Sequence, residues 1–245
     1  TTIVYRTEEG ERGTIYDRNG IELAQTIKKY DFWVNTNEGF DEDKIISLFS
    51  KTFNEPPSTF IDLLSRNGNY VPLKRNIPAP IAKPIIDEIR YIGGLKVDAS
   101  IKRYYPQHHL ASQVIGYVDQ NNSGQFGLES QFNADLQGSK GRVAFNRSAS
   151  GKLTRAMTLD QPKISQGNHI ELTLDIELQS ILQSELKKSV IRTSAKTANG
   201  IILDPHTGEI LAMATYPDFD PNKYQKFPMD SYKNRAISDA YEPGS

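Results

Sequence analysis

A serine hydroxyl attacks carbonyl carbon only when a nearby base takes its proton, and a lysine three residues further on is one arrangement that supplies the base. Ser184-Glu185-Leu186-Lys187 has this spacing. It falls inside a stretch of helical periodicity, where such a spacing simply sets two polar groups on one exposed side, and it reads as helix surface. A second serine, Ser245, follows Glu242-Pro243-Gly244. Glycine before it suits a tight entry into a helix, whose N-terminal dipole would favour a developing negative charge. The residues alone leave Ser245 as an exposed terminal hydroxyl.

Other chemistries are poorly served. His108, His109, His169 and His206 show no His-x-x-x-His spacing, and no carboxylate cluster completes a metal set, so turn and surface roles are expected. There is no Gly-x-Ser-x-Gly elbow and no phosphate-binding P-loop. Arg12, Asp17, Arg18 and Arg103 form a further charged set. Arginine and aspartate at hairpin ends are expected to form bidentate ion pairs that fix strands, with partner contact as the alternative and no catalytic part.

Such residues need a framework, and 245 residues can supply one large domain or two ordinary ones. The 29 basic and 30 acidic residues nearly cancel, to a net charge of -1, and no strongly basic run occurs, which argues against nucleic acid as a partner. The chain has no cysteine, which excludes disulfides, thiolate chemistry and Cys-ligated zinc. No apolar run approaches the roughly 18–20 residues of a membrane helix. The opening Thr1-Thr2-Ile3-Val4-Tyr5-Arg6 lacks a methionine and a signal peptide. We therefore expect an excised ectodomain fragment.

Along the chain, Asn19-Gly20 between extended segments predicts a hairpin with a type I′ turn. Ile45, Leu48, Phe49 and Phe53 predict a helix over 41–53. Ser58 is a candidate cap for a short helix that buries Phe60, Leu63 and Leu64. Residues 80–91 predict another helix, ended by Gly93-Gly94. The segment 147–166 turns polar and is placed as a domain boundary. Beyond it, Asp175 is expected to cap a helix with Leu178, Ile181, Leu182, Leu186 and Val190 on one stripe. Residues 200–204 and 209–215 predict a hairpin that is apolar on both faces, as in a sheet buried on both sides.

Three separated blocks resemble the class B penicillin-binding proteins. Arg12-Gly13-x-Ile15-x-Asp17-Arg18-Asn19-Gly20-x-x-Leu23-Ala24 resembles the opening of their non-catalytic pedestal, or dimerisation domain. Arg103-Tyr104-Tyr105-Pro106, Ile115-Gly116-Tyr117-Val118, Gly127-Leu128-Glu129 and Leu136-x-Gly138-x-x-Gly141 resemble its later signature. Leu203-Asp204-Pro205-x-Thr207-Gly208-Glu209-Ile210-Leu211-Ala212-Met213-Ala214, then Pro217-x-Phe219-Asp220-Pro221-Asn222, Asn234-Arg235 and Glu242-Pro243-Gly244-Ser245, resemble the start of the transpeptidase domain. The order is the family's and covers almost the whole chain.

The resemblance implies an α+β chain: an elongated pedestal over 1–160, then a truncated transpeptidase domain of the β-lactamase-like α/β fold over 161–245. It implies a peptidoglycan D,D-transpeptidase with Ser245 as the catalytic nucleophile, acting on D-Ala-D-Ala stem peptides and acylated by β-lactams, with no cofactor and no metal. The Lys three residues beyond Ser245 is not in the sequence. Ser65-Arg66-Asn67 mimics the family's Ser-x-Asn motif but precedes the nucleophile, and Lys-Thr-Gly and Lys-Ser-Gly are absent. The fragment is therefore expected to be inactive. The branch implied is the division-specific one, with the elongation and spore-cortex branches as alternatives. The implied location is the extracytoplasmic or periplasmic face of the cytoplasmic membrane, with an anchoring N-terminal helix outside this chain and membrane proteins of the division machinery as partners. Glu42-Asp43 is followed by Lys44-Ile45-Ile46, unlike the glycosyltransferase signature of class A relatives. A non-catalytic scaffold for cell-wall synthesis partners is the rival reading. A β-lactamase or β-lactam sensor is a second, disfavoured by the pedestal blocks.

Overall fold

The computed structural model describes residues 2–66, 68–147, 153–156, 162–240 and 242. In chain order these form β1 (Thr2–Glu9), β2 (Ile15–Tyr16), β3 (Glu22–Asn35), α1 (Glu42–Phe53), α2 (Pro57–Leu64), β4 (Tyr70–Pro78), α3 (Ala79–Glu88), β5 (Leu95–Tyr104) and the short helices α4 (Ser112–Ile115), α5 (Gly127–Gln131) and α6 (Asn133–Leu136). Then come β6 (Lys140–Arg147), β7 (Leu153–Arg155), β8 (Ile170–Glu171), α7 (Ile176–Thr193), β9 (Ala198–Leu203), β10 (Ile210–Tyr216) and α8 (Arg235–Ser238). The chain is α+β, and it divides into two compact units: Thr1–Thr26 with Arg103–Ser245, and Ile27–Lys102. Among the described residues no helix is long and apolar enough to cross a membrane.

In the Ile27–Lys102 unit, β3 pairs antiparallel with β4, setting Val34 opposite Val71. Ile45 and Phe49 lie one helical turn apart on α1, so one stripe of that helix is buried. Phe49 meets Phe32 and Phe60 at ring-centroid distances of 5.7 Å. Asp41 caps α1 by accepting from the Lys44 backbone N–H, and Asn54 closes it in the left-handed conformation. The second helix begins at Pro57, after Pro56 rather than Ser58. Proline at the first helical position loses only an N–H that has no partner inside the helix, so no hydroxyl cap is required.

The other unit holds an antiparallel sheet in the order β1-β6-β7, and the antiparallel hairpin β9–β10. Its strand β2 pairs antiparallel with the start of β3 and parallel with β8. The β2–β3 hairpin exists, but its turn is not type I′. Only Gly20 has positive φ, at 78°, and the pairing shifts by a residue between Ile15 and Tyr16. Asp17 makes the difference: one carboxylate oxygen accepts from the Asn19 and Ile21 backbone N–H groups, each at 2.8 Å, and this holds Asn19 at negative φ. The core of this unit includes Ile15, Leu23, Ile115, Leu136, Leu174, Phe219 and Tyr232. Gly13 sits so close to the chain that an added Cβ would lie 1.8 Å from the Asn168 carbonyl oxygen.

Candidate functional site

Arg12 and Arg103 do form ion pairs, but with Glu129 rather than Asp17, and each meets the carboxylate through one nitrogen rather than bidentately. Arg12 Nε meets one Glu129 oxygen at 2.7 Å, and Arg103 Nε meets the other at 2.7 Å. The three side chains are essentially excluded from water. The second guanidinium charge is spread over backbone acceptors: Arg12 Nη2 donates to the Glu129 carbonyl at 2.8 Å and Arg103 Nη1 to that of Gly13 at 2.7 Å. Tyr105 donates to Glu129 at 3.3 Å and accepts from the Val118 N–H at 3.0 Å. Burial, reinforced by the Glu129 charge, pushes the Tyr105 phenol well above its ordinary value, so it stays a neutral donor. Asp17 is also buried, and its partners are backbone N–H groups, the third being Ile176 at 3.2 Å.

That last contact places Asp17 at the start of α7, where Asp175 caps Glu177 and Leu178 at 3.0 and 3.2 Å. The expected stripe is real in part: Leu178, Leu182, Leu186 and Val190 are half-buried, while Ile181 is 60 % exposed. The buried positions are instead Ile176 in the first turn and two amides. Gln179 donates to the Met213 carbonyl at 2.8 Å and accepts from the Met213 N–H at 2.8 Å. Gln183 accepts from the Ala111 N–H at 2.8 Å and donates to the His109 carbonyl at 3.1 Å. Strand β10 is buried on both faces, Ala212, Met213, Ala214 and Thr215 being buried in succession. On β9, Ile201 and Leu203 are 43 % and 54 % exposed, so among the described residues the expected burial on both sides holds for β10 and not for β9.

The chain from Pro217 to Tyr232 is held against the region 105–126. Asn222 clamps Tyr105 twice, accepting from its N–H at 3.0 Å and donating to its carbonyl at 2.9 Å. Gln113 donates to the carbonyls of Pro217 and Ser231 at 3.0 and 3.1 Å. Tyr117, Phe219, Tyr224 and Tyr232 form an aromatic cluster in which Tyr117 stacks on Tyr224 at 4.1 Å. Asn234 donates to the Met213 sulfur at 3.2 Å, and Arg235 pairs with Asp230 and Asp239. Ser245 lies outside the described residues, as do Pro243 and Gly244.

Ser184 and Lys187 are both exposed on α7, as their spacing suggested. Ser65 ends α2, while Asn67 of the same motif is outside the described residues. His108 pairs with Asp220 at 3.3 Å, His169 accepts from the Thr14 N–H at 2.9 Å, and His206 lies in the turn between β9 and β10. Among the described residues no group of His, Asp and Glu could hold a metal. Glu129, Gln179 and Gln183 had no assigned role on sequence alone. For Glu129 a signal existed: it ends Gly127-Leu128-Glu129 in a region rich in signature residues.

Comparison with known proteins places this geometry. The profile of the penicillin-binding protein dimerisation domain matches residues 7–172, and that of the penicillin-binding protein transpeptidase domain matches 199–245. A peptidoglycan D,D-transpeptidase FtsI homolog of Mesostigma viride is 33 % identical over 249 residues, covering 100 % of this chain and 40 % of that protein. Penicillin-binding protein 2X from Streptococcus thermophilus aligns with a TM-score of 0.68 at 22 % identity, over 96 % of this chain and 37 % of that one. In the complex of penicillin-binding protein PBP2 with MreC from Helicobacter pylori, the matched chain aligns with a TM-score of 0.59 at 25 % identity, over 96 % and 48 %. The chain thus spans about two fifths of the length of the relatives it matches.

Proposed function

The chain belongs to the penicillin-binding proteins, with their dimerisation domain and the beginning of their transpeptidase domain, and from that premise we propose that it is the extracytoplasmic part of a serine D,D-transpeptidase that cross-links peptidoglycan. Residues 1–160 are the pedestal and 161–245 open the transpeptidase domain. Ser245 is the nucleophile. Its oxygen attacks the carbonyl of a D-Ala-D-Ala stem peptide as its proton passes to a base, the terminal D-alanine leaves with a proton, and an amine of a second strand then takes the acyl group and restores the hydroxyl. Backbone N–H groups are the expected oxyanion donors. The same attack on a β-lactam ring leaves a stable acyl-enzyme.

The observation that carries this reading is the transpeptidase match running through Asn234-Arg235 to Glu242-Pro243-Gly244-Ser245. The 245 residues alone hold no lysine three positions beyond Ser245 and no Lys-Thr-Gly, so by themselves they are expected to be inactive. The relative named FtsI favours a division role. A membrane anchor preceding the pedestal, and membrane-protein partners, belong to the same proposal. A second reading, a scaffold that binds cell-wall synthesis partners without catalysis, draws on the PBP2–MreC complex. Intact mass spectrometry of the protein extended past Ser245, after incubation with penicillin, tests both. A gain of one β-lactam, lost in Ser245→Ala, is expected. No gain by a folded protein favours the scaffold.

A further inference from the structure

Within the unit formed by Thr1–Thr26 and Arg103–Ser245 there is a cleft of about 450 Å³, lined among others by His109, Leu110, Ser184, Lys187, Asp218 and Phe227. Its volume is in the range of sites that hold small organic ligands. Two of its charged groups keep unused hydrogen-bonding capacity. Asp220, also in the lining, is engaged: it pairs with His108 at 3.3 Å and caps Asn222 at 3.0 Å. Asp218 is half-buried and takes one side-chain hydrogen bond, from Gln183 Nε2 at 3.0 Å, although a carboxylate has about four acceptor positions. Burial holds its carboxyl above the usual carboxylate value, outweighing the opposing pull of His109, Gln183 and Lys187. On α7, Lys188 pairs with Glu185 at 2.7 Å, whereas the Lys187 ammonium has no ion pair or hydrogen bond among the described residues.

Asp218 thus keeps unused acceptor positions and Lys187 unused donors, each in the field of the other, with the Ser184 hydroxyl in the same lining and Leu110 and Phe227 supplying apolar surface. We infer that this cleft binds a short unblocked peptide as a zwitterion, with the peptide ammonium on Asp218 and its carboxylate on Lys187. A lone anion would leave the free acceptor positions of Asp218 unused, and a lone cation would leave the Lys187 donors unused. The inference does not depend on Ser245 or on the transpeptidase reading.

Titration of the isotope-labelled 245-residue protein with the tripeptide Ala-Ala-Ala, followed by amide chemical shifts, tests it. Saturable shifts are expected at His109, Leu110, Ser184 and Asp218. N-acetylation or C-terminal amidation of the peptide is expected to weaken binding about tenfold or more. Asp218→Asn should make binding insensitive to acetylation, and Lys187→Met should make it insensitive to amidation. If Asp218→Asn folds poorly, the blocked peptides on the unaltered protein report the same contact. No saturable shifts, equal affinity for blocked peptides, or equally tight binding of putrescine or propionate alone would each overturn the inference.

Discussion

Among the described residues Glu129 is the only carboxylate paired with Arg12 and Arg103, and all three are buried. Removing one partner of such a cluster leaves charge in a medium that cannot solvate it, at a cost of about 3–5 kcal/mol. Glu129→Ala is expected to lose that much in urea denaturation, a large part of the stability of an ordinary domain. A loss under about 1 kcal/mol would mean that water or backbone carbonyls already satisfy both guanidinium groups. The sequence made the arginines legible and their partner illegible. Arg12 and Asp17 are close in the chain, whereas Glu129 is 117 residues from Arg12, and only tertiary folding brings them together. Asp17 is committed to backbone N–H groups, a role that fixes the turn, which the Asn19-Gly20 pair alone misassigned.

Helix α7 depends on its first turn. Asp175 accepts two backbone N–H groups there, and its carboxyl is held below its ordinary value, chiefly by the Leu178 N–H. Asp175→Ala is expected to cost about 1 kcal/mol near neutral pH. The sign of the pH dependence follows. The folded-state value is depressed, so this stabilisation is fully present above the unfolded value near 3.8 and is lost as pH falls through the depressed folded value. Denaturation curves of the two proteins should therefore converge in acid; a gap unchanged at low pH would exclude the charged cap as its source. The cap was readable because an Asp before a periodic run is a local signal. The buried face was not. Gln179 and Gln183 look like surface residues in any pattern of hydropathy, and their burial becomes tolerable only because backbone groups of Met213, Ala111 and His109 meet them.

At the scale of the molecule, the sequence blocks gave the order of the family's domains but no sign that Ile27–Lys102 packs as a unit of its own. That unit has its own core around Phe32, Phe49 and Phe60, and hydrophobic spacing reports that a residue is buried without saying in which core. The β9–β10 hairpin leaves Ile201 and Leu203 exposed, and the 245-residue protein is expected to self-associate with rising concentration. Light scattering should show this, and Leu203→Lys should reduce it; a clean monomer at high concentration would exclude the hairpin as adhesive. The stoichiometry follows from Gln179. Met213 stands opposite Ile201 in the pairing with β9, yet both its backbone groups are bonded to the Gln179 side chain. The Leu211 carbonyl likewise takes the Asp175 N–H at 2.8 Å. The outer margin of β10 is thus occupied, and within this hairpin β9 offers the free margin for pairing. A hairpin with a valence of one closes on a twin and stops, so association through it should end at pairs and not grow into filaments.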